Sequence, residues 1–248
     1  MTHLLSALLL LSAAEAPAPS AAPTVDVVQL LRDSDRLRGG LKDGITWTIE
    51  VESTEDGVTT KTSYLVKSRG DDALAETLSP PRSKGEKMLF NDRTLWFLKP
   101  GLKKPVSVSA RQKLSGQAAN GDIASTNYAR DYDATLSGDE AVNGAPCWRL
   151  ELKAKAGNVT YDRVRYWVSK DQRRALKADF LTVSGEVFKT ATFEYGNVVT
   201  LAGAPVDFIK AMTIKDAMGS GAVSVLRFGL PKSEAHAPSL FNVNNVVR

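Results

Sequence analysis

Strict alternation of apolar and polar residues recurs along most of the chain and constrains its fold more than any other feature. Trp47, Ile49 and Val51 alternate with Thr48, Glu50 and Glu52; Trp148, Leu150 and Leu152 alternate with Cys147, Arg149 and Glu151; Val164, Tyr166 and Val168 alternate with Arg163, Arg165 and Trp167. Phe193 with Tyr195, Met212 with Ile214 and Val223 with Val225 continue the pattern. A side-chain period of two belongs to strands with one buried and one wet face. Short turn signals separate the runs, among them Glu55-Asp56-Gly57, Asn143-Gly144 and Ser184-Gly185-Glu186. Such residues accept the positive φ of tight hairpins. The spacing predicts an antiparallel meander of about ten strands.

One segment reads as a helix. Val27, Leu30 and Leu31 share a face over Val27 to Leu37, with Thr24 as cap and Asp26 favourable beside the N-terminus. Parts of Arg111 to Arg130 are the other candidate, with little apolar content. A sheet with one apolar face must cover it. So little helix predicts a mainly β (α+β) chain, a single curved antiparallel sheet whose interior is either closed by its own side chains or left open for a guest. The helix would close one end, or act as a lid.

With 43% hydrophobic and 24% charged residues, disorder is excluded as the default. No repeat or strong Gly/Pro boundary divides residues 24–248, which read as one domain. Residues 1–16, MTHLLSALLLLSAAEA, hold an apolar run too short to span a bilayer and an Ala14-Glu15-Ala16 cleavage pattern. They predict a cleaved signal peptide and a periplasmic protein, with the Ala/Pro-rich residues 17–23 as an extended leader. Cys147 is the only cysteine. That excludes an intramolecular disulfide and a lipobox, so the exported chain is expected not to be lipidated.

Reactive chemistry is sparse. His3 falls in the expected signal peptide, and His236 lies in a polar segment predicted to be an exposed loop, so any Ser-His-Asp or Cys-His mechanism would have to run through His236 alone. There is no C-x-x-C, no H-E-x-x-H and no phosphate-cradling loop. Asp131 with Asp133 and Asp71 with Asp72 read as turn and surface residues, and Cys147 falls on the outer side of its strand. The expectation is no catalytic residue, no metal, no cofactor and no enzyme. A formal charge of +4 on an exported chain also speaks against nucleic acid. Lys99, Lys103, Lys104, Arg111 and Lys113 cluster within a short span; they read as a solvated strand edge, with contact to anionic head groups as the alternative.

The stretch from Lys84 to Leu136 organises the rest. Met88 to Phe90 and Thr94 to Leu98 form a hairpin across Asn91-Asp92-Arg93, a short strand with Val106 and Val108 on one face follows, and a polar excursion leads to Asp131-Tyr132. This order, with Thr94-Leu95-Trp96-Phe97-Leu98-Lys99-Pro100, Gly116, Asp122 and Asp131-Tyr132, resembles the outer-membrane lipoprotein-sorting family, the LolA/LolB-like periplasmic lipoprotein carriers. The resemblance extends from the first helix to Phe241-Asn242. It implies an unclosed barrel with a helical lid and an apolar interior that receives lipoprotein acyl chains or another lipid. It also implies a soluble, non-enzymatic monomer, served by a membrane transporter as donor and an outer-membrane acceptor. Members of the family latch the lid with an arginine; Arg69 lies near the expected region, but VKSRG does not match cleanly.

Strand parity then selects the lining: Trp47, Ile49, Val51, Val106, Val108, Trp148, Leu150, Leu152, Val164, Tyr166, Val168, Phe193, Tyr195, Met212 and Ile214, with Val27, Leu30 and Leu31 on the lid. In TLWFL both parities are apolar, so Trp96 and Phe97 stay unassigned. The alternative is an RseB-like envelope sensor or scaffold that binds a protein partner. A third reading, an exported hydrolase, would need a polar pocket around His236.

Overall fold

The computed structural model describes residues 25–246 apart from residues 92, 103, 125 and 126. The expected signal peptide, the Ala/Pro leader, Thr24 and Lys103 therefore lie outside the described residues. Starting from Ile45, the alternating runs become β1 (Ile45–Glu55), β2 (Val58–Arg69), β3 (Asp72–Ser79), β4 (Lys87–Asn91), β5 (Thr94–Leu98) and β6 (Val106–Val108). A small hairpin follows, β7 (Lys113–Ser115) and β8 (Ala118–Ala119). The chain then returns through β9 (Tyr132–Val142), β10 (Ala145–Ala154), β11 (Arg163–Ser169), β12 (Ala175–Leu181), β13 (Val187–Leu201), β14 (Ala204–Asp216) and β15 (Val223–Phe228), ending in β16 (Lys232–Ser233).

All but the small hairpin pair into one fourteen-stranded sheet, four strands more than the alternation alone marks out. β1 to β6 are laid down outward from a seam, and β9 to β15 come back to it, where β15 pairs β1 with Ile49 opposite Phe228. β6 and β9 are the two ends of the path, so the sheet does not close. Two hairpins behave as their sequence requires: Asp56-Gly57 and Asn143-Gly144 both have positive φ at both turn residues. A third, Ala202-Gly203, does the same with alanine at φ 49°, a turn that sequence does not advertise.

The sheet wraps around its own cover. Buried residues of both halves share one cluster with Leu30, Leu31, Ala118, Ala119, Ile123 and Tyr128. These belong to α1 (Val27–Leu37), the β7–β8 hairpin, α2 (Asn120–Ala124) and α3 (Tyr128–Asp131). Leu30 and Leu31 are 0% and 1% exposed. Burial on that scale stabilises by roughly 1.5–3 kcal/mol per side chain. The helix is capped by Asp26, whose carboxylate accepts from the Gln29 N–H at 3.0 Å, rather than by Thr24.

The outer face of β3 to β5 is also covered. Leu74, Leu89, Leu98 and Phe241 form a second cluster with Trp96 and with Val243 and Val246 of α4 (Val243–Val246). TLWFL is apolar at both parities because both faces are buried: Phe97 packs against the inner cluster and Trp96 against the outer one. Cys147 faces outward as expected, buried with Val142 and Trp167. His236 differs from the expectation. It is buried, its Nε2 3.0 Å from Thr46 Oγ1, because the segment after β16 folds back over the start of β1 and sets Phe241 edge-on to the imidazole.

Gly116 turns the small hairpin into the sheet. At φ +52° its Cα faces the seam so closely that a Cβ would lie 2.6 Å from Ser53 Cβ and from Ser224 Oγ. Gly144, at φ +81°, has open space around it. Gly144→Ala should therefore cost only backbone strain, about 1 kcal/mol, whereas Gly116→Ala should cost at least twice that by undocking the hairpin. Urea unfolding of the two variants measures the difference, and equal losses would contradict the close docking.

Candidate functional site

The stripe of α1 that faces the sheet begins apolar and ends polar. Leu30 and Leu31 are followed on the same face by Ser34, Asp35 and, just past the helix end, Arg38, all buried. Ser34 Oγ lies 3.0 Å from the Tyr166 hydroxyl, and the Arg38 guanidinium donates to that hydroxyl at 3.1 Å. The guanidinium carbon stands 4.9 Å from the Tyr128 ring centre and 4.7 Å from that of Phe193. Gly39 makes this possible: at φ +110° it lets the chain turn where a Cβ would sit 2.8 Å from the Trp47 ring.

Asp35 ties α1 to α3. Its Oδ2 accepts from the Ala129 N–H at 2.9 Å, while its buried Oδ1 has no partner. Burial pushes this carboxyl up to about 7, against the Ala129 N–H and the charge of Arg38, which pull it down. Asp122 anchors the rest of the excursion by accepting from the Ala119 N–H and the Tyr161 hydroxyl, each at 2.8 Å. Its carboxyl is also raised, by burial, against those same hydrogen bonds. Tyr161 in turn stacks on Phe180 at 3.8 Å. Arg111 pins the start of the excursion through Val159 O and Asp162, so the segment between the two free sheet edges crosses the concave face and is fastened on both sides.

Little space is left inside. The void bordered by Arg38, Trp47, Val66, Ala73 and Ile123 holds about 20 Å³. That is room for one water and far below the roughly 300 Å³ at which ligand pockets begin. The interior bordering Arg38 is thus filled by native side chains rather than standing open. Outside the lid, an open groove of about 910 Å³ runs between α1, the β2–β3 turn, α3 and the β13–β14 turn. Gly40, Gly70 and Asn127 border both spaces.

Trp47, Ile49, Val51, Leu150, Leu152, Val164, Tyr166, Val168, Phe193, Met212 and Ile214 are brought together in the inner cluster with Leu30 and Leu31. Val108, Trp148, Tyr195 and Val27 lie half-buried at its margin. Val106 does not join them. It is 48% exposed, because β6 is a three-residue end strand with no partner on its outer side. Arg69 ends β2, next to Ser68 and Gly70, which bond Gly39 O and Leu41 O just past α1, but the arginine that reaches the Tyr166 hydroxyl beneath the helix is Arg38. Of the basic cluster, Lys99, Lys113 and Arg111 are paired with Glu86, Glu55 and Asp162.

Sequence reasoning missed Arg38, Asp35, Tyr128 and Tyr161. One signal was available: positions 34, 35 and 38 continue the helical stripe of 27, 30 and 31, so polar residues stood on a face that had to be buried. Among the described residues no cluster of His, Cys, Asp or Glu could hold a metal ion, and no helix is long and apolar enough to cross a membrane.

An unclosed antiparallel sheet curled around one long helix and a short helical excursion defines the LolA-like class. A LolA superfamily protein from Nitrosomonas europaea is 29% identical, covers 89% of this chain and 99% of its own, and superposes with a TM-score of 0.79. A putative outer membrane lipoprotein-sorting protein domain from Vibrio parahaemolyticus is 20% identical over 89% and 98% of the two chains, with a TM-score of 0.74. A DUF1329 family protein from Desulfovibrio piger is 20% identical over 88% and 97%, with a TM-score of 0.72. The chain belongs to the family whose model, described as "Uncharacterized protein", matches residues 69–248. No curated protein matches it.

The raised carboxyl of Asp35 makes the lid sensitive to pH. Between the ordinary value of 3.8 and about 7 the folded state keeps a proton that the unfolded chain has lost, so stability falls as pH rises through that window. The loss due to this group should approach about 4 kcal/mol by pH 8. Subtracting the urea-unfolding curve of Asp35→Asn from that of the wild type, pH by pH, should isolate that slope, and a flat difference would contradict a buried, protonated Asp35.

Proposed function

We propose that this chain is a periplasmic, non-enzymatic carrier that shelters the acyl chains of lipoproteins or another lipid beneath α1. In this reading residues 1–16 are removed on export and residues 24–248 act as one unlipidated, monomeric unit. A membrane transporter delivers the guest and an outer-membrane acceptor takes it. Exposing a chain of about 16 carbons to water costs on the order of 10 kcal/mol, at about 0.8 kcal/mol per methylene. Such a guest cannot cross an aqueous compartment without cover.

The observation that carries the reading is the polarity of the lid contact. Where α1 and α3 meet the sheet, the buried contact includes Ser34, Asp35, Arg38 and the hydroxyl of Tyr166. Buried polar groups gain back much of their loss when water reaches them, whereas a purely apolar seam would hold the lid shut. The lid is thus the part of the interior that can leave while the fourteen-stranded sheet stays paired. Behind it the sheet offers Trp47, Ile49, Val51, Leu150, Val164 and Met212 as an apolar wall. The similarity to a LolA superfamily protein and to a putative outer membrane lipoprotein-sorting domain supports the same reading.

Titration of the full chain with cis-parinaric acid should give saturable binding of one probe per chain, reversed by excess palmitate. A titration that stays linear, or a probe that palmitate does not displace, would remove the carrier reading.

A further inference from the structure

The geometry points to a cation-accepting cage beneath the lid: the rings that hold the Arg38 guanidinium form a receptor for the ammonium head group of a lipid, which takes the place of Arg38 when the lid lifts. The lipid in this statement rests on the carrier reading; the cage itself does not.

Arg38 is a buried charge stabilised in an unusual way. Among the described residues it has no carboxylate within ion-pair distance; its guanidinium meets the rings of Tyr128 and Phe193 and donates to the phenol of Tyr166. Its Nε has no hydrogen-bond partner. Aromatic faces around a desolvated cation, without a carboxylate in contact, are the arrangement that recognises alkylammonium groups, and such contacts strengthen when water is excluded. A helix that only had to be held shut would do so with another leucine, since taking a charge out of water is costly.

One further feature suits an incoming cation. The small void bordered by Arg38 meets the outer groove at Gly40, Gly70 and Asn127, so a head group arriving along the groove reaches the cage once the Arg38 side chain swings out. Arg38 is then a built-in competitor: it fills the cage while the carrier is empty and is displaced by a ligand of like charge.

Chemical rescue tests the cage directly. In the full chain, Arg38→Ala should melt several degrees below the wild type, and millimolar tetramethylammonium chloride should restore at least half of that loss. Equal concentrations of sodium chloride or of the neutral isostere 3,3-dimethylbutan-1-ol should not, and the wild type, whose cage is filled, should not respond. Rescue by the neutral isostere, or none by the cation, overturns the cage. Should Arg38→Ala fail to fold, calorimetric titration of the wild type and of Phe193→Leu with short-chain lipids decides. The wild type should bind diheptanoyl phosphatidylcholine or phosphatidylethanolamine about tenfold more tightly than diheptanoyl phosphatidylglycerol, a gap of about 1.4 kcal/mol, and Phe193→Leu should lose that preference. Equal binding of all three lipids overturns the cage while leaving the carrier reading intact. Ammonium rescue with no lipid binding does the reverse.

Discussion

A sheet that curls without closing leaves a long apolar face that only something outside the sheet can cover. Here the cover is one eleven-residue helix with the β7–β8 hairpin, α2 and α3, and most of what is specific to this protein follows from how that cover is attached. Leu30 and Leu31 supply the apolar anchor. Ser34, Asp35 and Arg38, one turn further along the same face, supply a polar anchor that is strong when dry and replaceable when wet. The two are in tension by construction, and that tension separates a lid from a plug.

The two faces of the sheet divide the work. On the outer side, Leu74, Leu89 and Leu98 are sealed by Phe241 and the C-terminal helix. On the inner side the seal includes an arginine among aromatic rings and two carboxyls that burial has raised. A permanent joint has no use for such groups, because each weakens the contact it sits in unless fully satisfied.

How much of this could be read beforehand depended on whether a residue obeyed a period. The strands of β1, β10 and β11 announce their buried side through Trp47, Ile49, Leu150, Val164 and Tyr166, and the Asp56-Gly57 and Asn143-Gly144 turns announce their hairpins. The meander, the unclosed architecture and the inner wall were legible for that reason. Val106 was misplaced because parity says which face a residue takes and not whether anything lies across it. Thr24 was preferred to Asp26 as cap because both fit the pattern by type. The lid contact was hidden for a deeper reason: tertiary packing drew polar residues into the buried stripe of α1, and Tyr128 and Tyr161 lie in two separate connections, before β9 and between β10 and β11, that have no period. His236 likewise looked solvated until the C-terminal fold-back buried it.

The central claim is that α1 lifts while the sheet, and the segment that holds Tyr128 against it, stay in place. Amide hydrogen exchange resolved along the chain measures this most directly, since sub-global opening exposes only the amides that move. The account predicts that the amides of α1, Leu30 and Leu31 among them, exchange together, at a free energy well below that of Ile49, Val51 and Leu226 at the seam. Identical protection in the lid and the seam, lost only on global unfolding, would contradict it.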